Sequence, residues 1–160
     1  MPTSLDEHNR ELRRAEAAFA MFTRRNSRNE REMLAQWNLP WQRYSLIGGR
    51  REVGESFREC CVREIEEELG LRSGVDFQVA AESLGPRCEY RAYSLRQSVE
   101  TYYVFEVFIA TIESASSLAL VARDERNRWL TDHEVRLGAT EDGFAIAEQT
   151  GRILRLHATE

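Results

Sequence analysis

Hydrophobic and polar positions in the first third of the chain follow the pattern of paired strands. Apolar and β-favouring residues at 17–25 and 31–38 flank the turn-forming NSRN at 26–29, which predicts two strands joined by a hairpin. Pro40 ends the second strand, and residues 43–56, which contain three glycines, are predicted as a loop.

The segment that follows has the start and stop signals of a helix. Ser56 is a suitable N-cap, and Glu59 three residues later completes a capping box. The helix is predicted to end at Gly70, because glycine most readily adopts the left-handed conformation that follows a helix. An apolar stripe that includes Cys61 and Ile65 predicts that one side of the helix is buried.

Beyond this helix, strand signals alternate with loop signals. The runs at 76–84 and 88–95 are predicted as strands or edge strands. Residues 99–112 are nearly continuous in Tyr, Val, Phe and Ile, which predicts a strand covered on both faces. Small residues followed by mixed charge predict a loop over 113–127.

The two ends of the chain differ in their apolar pattern. Near the C-terminus, 128–130 is predicted as a short strand, Thr131 as the cap of a helical turn, and 142–157 as a helix interrupted by a glycine. At the other end, 4–16 is polar with poor apolar periodicity. Residues 1–14 are therefore predicted as a short helix or a frayed arm.

Composition narrows the class of protein. A chain of 160 residues predicts a single domain over 1–160, and its 42% hydrophobic and 31% charged residues are usual for a globular fold. The net charge of -5 argues against a surface for duplex nucleic acid, whose binding needs many basic side chains. All 22 basic residues are arginine, which excludes lysine Schiff-base chemistry and a P-loop lysine.

Cysteine usage and the absence of apolar runs indicate the compartment. The three cysteines, Cys60, Cys61 and Cys88, are odd in number and lack metal-ligand spacing, so we expect reduced thiols. The first residues do not form a signal peptide, and no apolar run reaches the ~18 residues of a membrane helix. We therefore expect a cytoplasmic protein that does not associate with membranes.

Three glutamates on the predicted helix form a candidate metal site. Glu64, Glu67 and Glu68 are related as i, i+3 and i+4, so their side chains are neighbours on one side of the helix. Three carboxylates there repel one another unless a cation lies between them. Their oxygen atoms suit Mg²⁺, Mn²⁺ or Ca²⁺ better than zinc.

Residues 49–71, GRREVGESFRECCVREIEEELGL, contain these glutamates and resemble the Nudix box, G-x5-E-x7-R-E-U-x-E-E-x-G-U, where U is aliphatic. Every fixed position of that pattern is matched. The resemblance implies an α/β fold, a Nudix-type α/β/α sandwich with a mixed central sheet. It also implies a pyrophosphohydrolase that uses Mg²⁺ or Mn²⁺ to cleave a nucleoside diphosphate linked to another moiety, a small-molecule substrate.

The resemblance further implies a role for each matched position. Glu67 and Glu68 correspond to metal ligands, and Glu64 to a ligand or to the base that activates water. The backbone carbonyl of Gly48, just before the box, corresponds to another ligand. The positions with implied structural roles are Gly49, Glu55, Arg63 and Gly70, and among these Glu55 and Arg63 correspond to an ion pair.

Outside the box, the candidates are an additional acid and several arginines. Family members often take another ligand or base from a loop ahead of a Trp-bearing strand, and Glu125 is our prediction for it, with Asp124 and Glu106 as alternatives. Guanidinium groups bind phosphate in a bidentate manner. The arginines predicted to contact substrate phosphates are Arg50, Arg51 and Arg87.

Several substrate classes stay open at this point. Family members that hydrolyse ADP-ribose carry a proline about fifteen residues past the box, and Pro86 occupies that position here. ADP-ribose or a similar nucleotide sugar is therefore the first expectation. The alternatives are a nucleoside triphosphate, including an oxidised one, a dinucleoside polyphosphate, and a non-catalytic nucleotide-binding module. A homodimer is left open.

Overall fold

A computed structural model of the protein describes residues 12–157. Most of the segment predicted as a short helix or frayed arm, residues 1–14, lies outside this range. For its last two residues the prediction is wrong, since Arg13 and Arg14 already belong to the first strand. The strand begins four residues before Ala17, where the predicted apolar run starts, so the polar residues at its beginning are also paired within the sheet.

Eight strands form one mixed sheet, in which β1 and β7 are parallel and the other pairs antiparallel. The strand order is β2-β3-β4-β1-β7-β5, with β6 paired to β7 and β8 paired to β3. The strands are β1 (Arg13–Met21), β2 (Thr23–Arg25), β3 (Arg31–Asn38), β4 (Arg43–Arg50), β5 (Phe77–Val79), β6 (Cys88–Ser94), β7 (Val99–Ile112) and β8 (Asn127–Thr131).

Helices cover both faces of this sheet, which confirms the predicted α/β/α sandwich. The helices are α1 (Phe57–Leu69), α2 (Ala115–Arg123), α3 (Asp132–Leu137) and α4 (Glu148–Leu156). Alternation along β1 creates the layers: Phe19 packs in the core that contains Ile153 of α4, and Ala18 packs in the core that contains Ile65 of α1. The predicted box helix therefore lies on one face, and the C-terminal helix on the other.

Several predicted elements are confirmed where they were expected. β3 follows a turn after β2, β7 is buried on both faces along its middle, and β8 is the short Trp-bearing strand. Helix α1 begins with the predicted capping box of Ser56 and Glu59, and Gly70 follows it in the left-handed conformation with φ 68°. Thr131 caps α3.

Three predictions are wrong. Residues 43–50, predicted as a loop, form the central strand β4, because two of the glycines in this segment lie inside the sheet. Residues 115–123, also predicted as a loop, form α2, in which Ser117 and Val121 are buried. The C-terminal helix begins at Glu148, since Ile146 is held extended by pairing with Tyr44.

No helix among residues 12–157 is long and apolar enough to cross a membrane.

Candidate active site

An ion pair fixes the loop that leads into α1. The Nε and Nη2 atoms of Arg63 donate to the two carboxylate oxygens of Glu55 over 2.9 and 2.8 Å. Nη2 also donates to the carbonyl of Arg50 at 3.0 Å. The guanidinium holds the pKa of Glu55 at about 2. This bidentate arrangement is the one that the resemblance implied, and it joins the end of β4 to the middle of α1.

Two consecutive glycines let β4 approach its neighbours closely. A Cβ atom on Gly48, whose φ is 157°, would overlap the carbonyl oxygen of Ala18 and lie 2.8 Å from Cα of Phe19. A Cβ atom on Gly49 would lie 2.6 Å from the carboxyl carbon of Glu64. Gly48 is therefore required by the packing of β4 on β1, whereas Gly49 leaves the space that the Glu64 carboxylate occupies.

The three box glutamates have different surroundings. The Glu68 carboxylate is partly buried and accepts a hydrogen bond from the N–H of Gly48 at 3.3 Å. Burial and the nearby Glu64 raise the pKa of Glu68 to about 8. Glu64 and the exposed Glu67 accept hydrogen bonds from Nη1 of Arg63 at 3.0 and 3.3 Å.

This donor set fits a divalent cation. Glu68 and Glu64 are two carboxylates in a partly buried position, where holding both negative charges is costly without a cation. Carboxylate oxygens are the ligands that Mg²⁺ and Mn²⁺ prefer. Within residues 12–157, no group of three His, Cys, Asp or Glu side chains is close enough together to hold a metal ion. At the box glutamates, Glu64 and Glu67 instead accept hydrogen bonds from Arg63.

Neighbouring cavities form a trough that runs to Glu68 from the α4 face of the sheet. Its first part, the aromatic cleft, consists of two overlapping cavities of about 360 and 410 Å³ that share Trp41, Ser94, Arg96, Tyr103, Phe105 and Gln149. Its second part, the Glu68 cavity, has a volume of about 320 Å³ and is lined by Gln36, Trp37, Asn38, Leu39, Pro40, Ser45, Gly48, Glu68 and Arg126. Gly48 borders both parts, and Glu68, which accepts a hydrogen bond from the N–H of Gly48, lines the second part.

The predicted phosphate-binding arginines have different positions. Arg50 lines the aromatic cleft beside Gly49. Arg51 bonds through Nε to Glu16 at 2.7 Å and through Nη1 to the carbonyl of Glu55 at 2.8 Å. Arg87 lies 3.3 Å from Glu106 and above the Phe57 ring, outside the cavities that make up the trough.

The candidate acids outside the box are also separated. Glu125 is exposed and lines none of the three cavities of the trough. Asp124 pairs with Arg126 over 2.7 Å. Glu106 lies on the α1 side of β7, where it pairs with Arg87. The residue that the loop before β8 contributes to the Glu68 cavity is Arg126.

The residues that sequence reasoning missed are Arg126 and Gln36, which come from distant segments and line the Glu68 cavity. The usable signal for Arg126 is its position between the acidic pair at 124–125 and the Trp-bearing strand.

All three cysteines are free and buried. Cys60 donates its S–H to the carbonyl of Gly49 at 3.3 Å, beneath the box loop. Burial raises the pKa of Cys60 and of Cys61 to about 12 and also raises that of Cys88. These thiols act as small core residues and not as nucleophiles.

Comparison with known proteins gives one family. The model for the NUDIX domain matches residues 13–149. A search of curated proteins found no match.

Three solved structures illustrate the likeness of the fold. A Nudix hydrolase from M. smegmatis, RenU, is 15% identical over 90% of this chain and 86% of its own, with a TM-score of 0.55. An Ap4A hydrolase from C. elegans is 13% identical over 91% of this chain and 96% of its own, with a TM-score of 0.57. NrtR from Shewanella oneidensis is 12% identical over 90% of this chain and 61% of its own, with a TM-score of 0.61, and it has also been solved in complex with a 27mer DNA.

Proposed function

Because the chain belongs to the Nudix family, whose hydrolases act on pyrophosphate bonds, we propose that it cleaves the diphosphate linkage of a nucleoside diphosphate joined to another moiety. The observation that carries this proposal is the position of Glu68 and Glu64. Glu68 lines the Glu68 cavity and bonds to the N–H of Gly48, and Glu64 lies beside Gly49, while both glycines line the aromatic cleft. A substrate that spans both cavities would present its central phosphates there.

Each box residue has a distinct task in this proposal. Glu67 and Glu68 would hold the divalent cation together with the carbonyl of Gly48, and Glu64 would be a further ligand or the base that accepts a proton from the attacking water. When bound, Mg²⁺ or Mn²⁺ neutralises phosphate oxygens and lowers the pKa of water. The pair of Glu55 and Arg63 keeps the loop and helix at a fixed separation.

The arginines would complete phosphate binding. Arg50 lies at the edge of the aromatic cleft and is the best placed of the three predicted contacts. Arg51 and Arg87 would have to leave Glu16 and Glu106 to reach the trough. Glu125, on an exposed loop, would have to move inward to assist as a base.

The substrate we propose first is ADP-ribose, or a similar nucleotide sugar. The position of Pro86 supports it through the family resemblance. In the aromatic cleft, the ring of Trp41 is 46% exposed and can stack on a nucleobase, whereas Tyr103 stacks on Tyr90 and Phe105 is buried. A nucleoside triphosphate or a dinucleoside polyphosphate, the substrate in the name of the C. elegans relative, are the competing outcomes.

A substrate panel tests this proposal. ADP-ribose, another nucleotide sugar, nucleoside triphosphates and a dinucleoside polyphosphate would be incubated with Mg²⁺ or Mn²⁺. Products would be counted as phosphate released by a phosphatase, or by a pyrophosphatase for triphosphates. We expect the highest kcat/KM with ADP-ribose, and no hydrolysis of any substrate in excess EDTA. A higher kcat/KM for any triphosphate would overturn the substrate class, and full activity in EDTA would overturn the metal dependence.

A further inference from the structure

Arg126 is held in place more firmly than exposed arginines usually are. Its backbone N–H and its Nε both donate to Oδ1 of Asp124, at 3.0 and 3.1 Å. Its Nη2 donates to Oδ2 of the same residue at 2.7 Å. Its carbonyl accepts a hydrogen bond from the N–H of Trp37 at 2.8 Å. The side chain is therefore ordered although 59% of its surface is exposed.

A second set of hydrogen bonds fixes this loop against the box helix. Nε2 of Gln36 donates to the backbone carbonyl of Glu68 and to Oδ1 of Asn127, both at 2.9 Å. Asn127 in turn donates to the carbonyl of Val121 at 2.9 Å. Because Gln36 is buried and bonds to both segments, the residue before Asn127 keeps its position relative to Glu68.

Arg126 lines the Glu68 cavity and keeps part of its guanidinium free to donate hydrogen bonds. Within residues 12–157, its Nη1 forms no hydrogen bond. Among the described residues that line the Glu68 cavity, Arg126 is the single cation and Glu68 the single acid. A guanidinium with free N–H groups beside the proposed cation ligand Glu68 is suited to a phosphate oxygen.

The two parts of the trough differ in chemistry, and this gives the substrate a direction. The aromatic cleft contains the ring of Trp41, which is 46% exposed and suits a nucleobase. The smaller Glu68 cavity lies beyond Gly48 and offers Arg126. On the proposed function, on which this step rests, we propose that Arg126 is a specificity-determining residue that binds the phosphate of the non-nucleoside half of the substrate. Asp124 is then its positioning residue.

Product binding separates this role from a structural one. Hydrolysis of a nucleotide sugar gives a nucleoside monophosphate and a sugar phosphate, and hydrolysis of a triphosphate gives a nucleoside monophosphate and pyrophosphate. AMP, ribose 5-phosphate and pyrophosphate would be titrated into the full chain with Mg²⁺ by calorimetry. The variants are Arg126→Ala, Arg126→Lys and Asp124→Asn. The matched control is Arg28→Ala, which removes the same charge from the exposed turn before β3.

We expect Arg126→Ala to weaken the binding of ribose 5-phosphate or pyrophosphate about tenfold, which is the usual effect of losing a charged hydrogen bond. AMP binding should change less than twofold. Arg126→Lys should weaken the binding of ribose 5-phosphate or pyrophosphate by an intermediate factor, because an ammonium keeps the charge but cannot donate in a bidentate manner. Asp124→Asn should weaken the binding of the same products less than Arg126→Ala does. Arg28→Ala should change none of them. Hydrolysis by Arg126→Ala should show the loss mainly as a higher KM.

Other results would overturn the assignment. Equal weakening of AMP and of the second product would make Arg126 a general or structural charge, and no change in either would remove it from the site. If Arg126→Ala does not fold, the same comparison between Arg126→Lys and Asp124→Asn decides. Because calorimetry needs no turnover, a wild-type protein that binds these products but hydrolyses nothing would overturn the proposed function and leave the role of Arg126 standing.

Discussion

The box at 49–71 and the loop at 124–127 each bring a charged side chain, Glu68 and Arg126, to the Glu68 cavity, but the two segments are held by different kinds of contact. In the box, Arg63 reaches Glu55, Glu64 and Glu67, all within eight residues of it. The loop is attached through Gln36, which is 91 residues away from Asn127. The geometry of the box therefore depends on residues close together in the sequence, whereas the position of the loop depends on its contacts with the sheet. Residues for chemistry common to a family can lie in a segment like the box, and residues for substrate selectivity in a segment like the loop.

The largest effect should come from the glutamate that the box places deepest. Glu68→Gln keeps the size of the side chain and its contact with Gly48 but removes the carboxylate proposed to bind the cation, so turnover should fall by about 100-fold or more. The melting temperature should stay the same or rise, because repulsion from Glu64 is relieved. Phosphate release and thermal unfolding would be measured on the same sample, with Glu66→Gln as the exposed control on the same helix. Turnover close to wild type would contradict the assignment.

Arg63 should behave in the opposite way, with loss of stability as well as activity. Arg63→Ala leaves Glu55 without its partner, and since the pair is only partly exposed we expect a loss of about 2–3 kcal/mol in the free energy of unfolding. Because the pKa of Glu55 is held at about 2, the stability from this pair is complete above pH 4.5 and is lost as the pH falls toward 2. Denaturant unfolding at pH 7 and at pH 3 would check this. A difference from wild type that does not shrink at the lower pH would refute it.

Substitutions at Gly48 and Gly49 should separate an effect on stability from an effect on activity. Gly49→Ala directs a methyl group at the flexible end of Glu64, so we expect about tenfold lower kcat with little change in melting temperature. Gly48→Ala meets the backbone of Ala18 and Phe19 and should unfold more easily instead. Activity and melting curves of the two variants would be compared. Equal melting temperatures for both would show that β4 can move away from β1.

The smallest effect should come from Arg50 at the edge of the aromatic cleft. Arg50→Ala should raise KM about fivefold through loss of one exposed phosphate contact, with no change in melting temperature. Arg51→Ala is the matched comparison, because it breaks the bond to Glu16 and should lower the melting temperature. If Arg51→Ala instead raises KM alone, Arg51 leaves Glu16 when substrate binds.

What could be predicted from the sequence follows the same division. Helix α1, its caps and the partnership of Glu55 with Arg63 depend on residues a few positions apart, and all were predicted correctly. β4 is missed because glycine is typical of loops, whereas at Gly48 and Gly49 it is required by close contact with Ala18 and Glu64 from distant segments. α2 is missed because its buried face is formed by Ser117 and Val121, while its leucines are exposed. The path of the trough depends on strand pairing, so Arg126 and Gln36 could not be recognised as neighbours of Glu68.

The three buried thiols have a practical consequence for studying this fold. Cys60, Cys61 and Cys88 are closed to solvent, and burial keeps each of them protonated at neutral pH. An alkylating reagent therefore reacts with them only in molecules whose core has opened. Because Cys60 and Cys61 belong to one layer of the sandwich and Cys88 to the other, the order in which the three sites are labelled reports which layer separates from the sheet first.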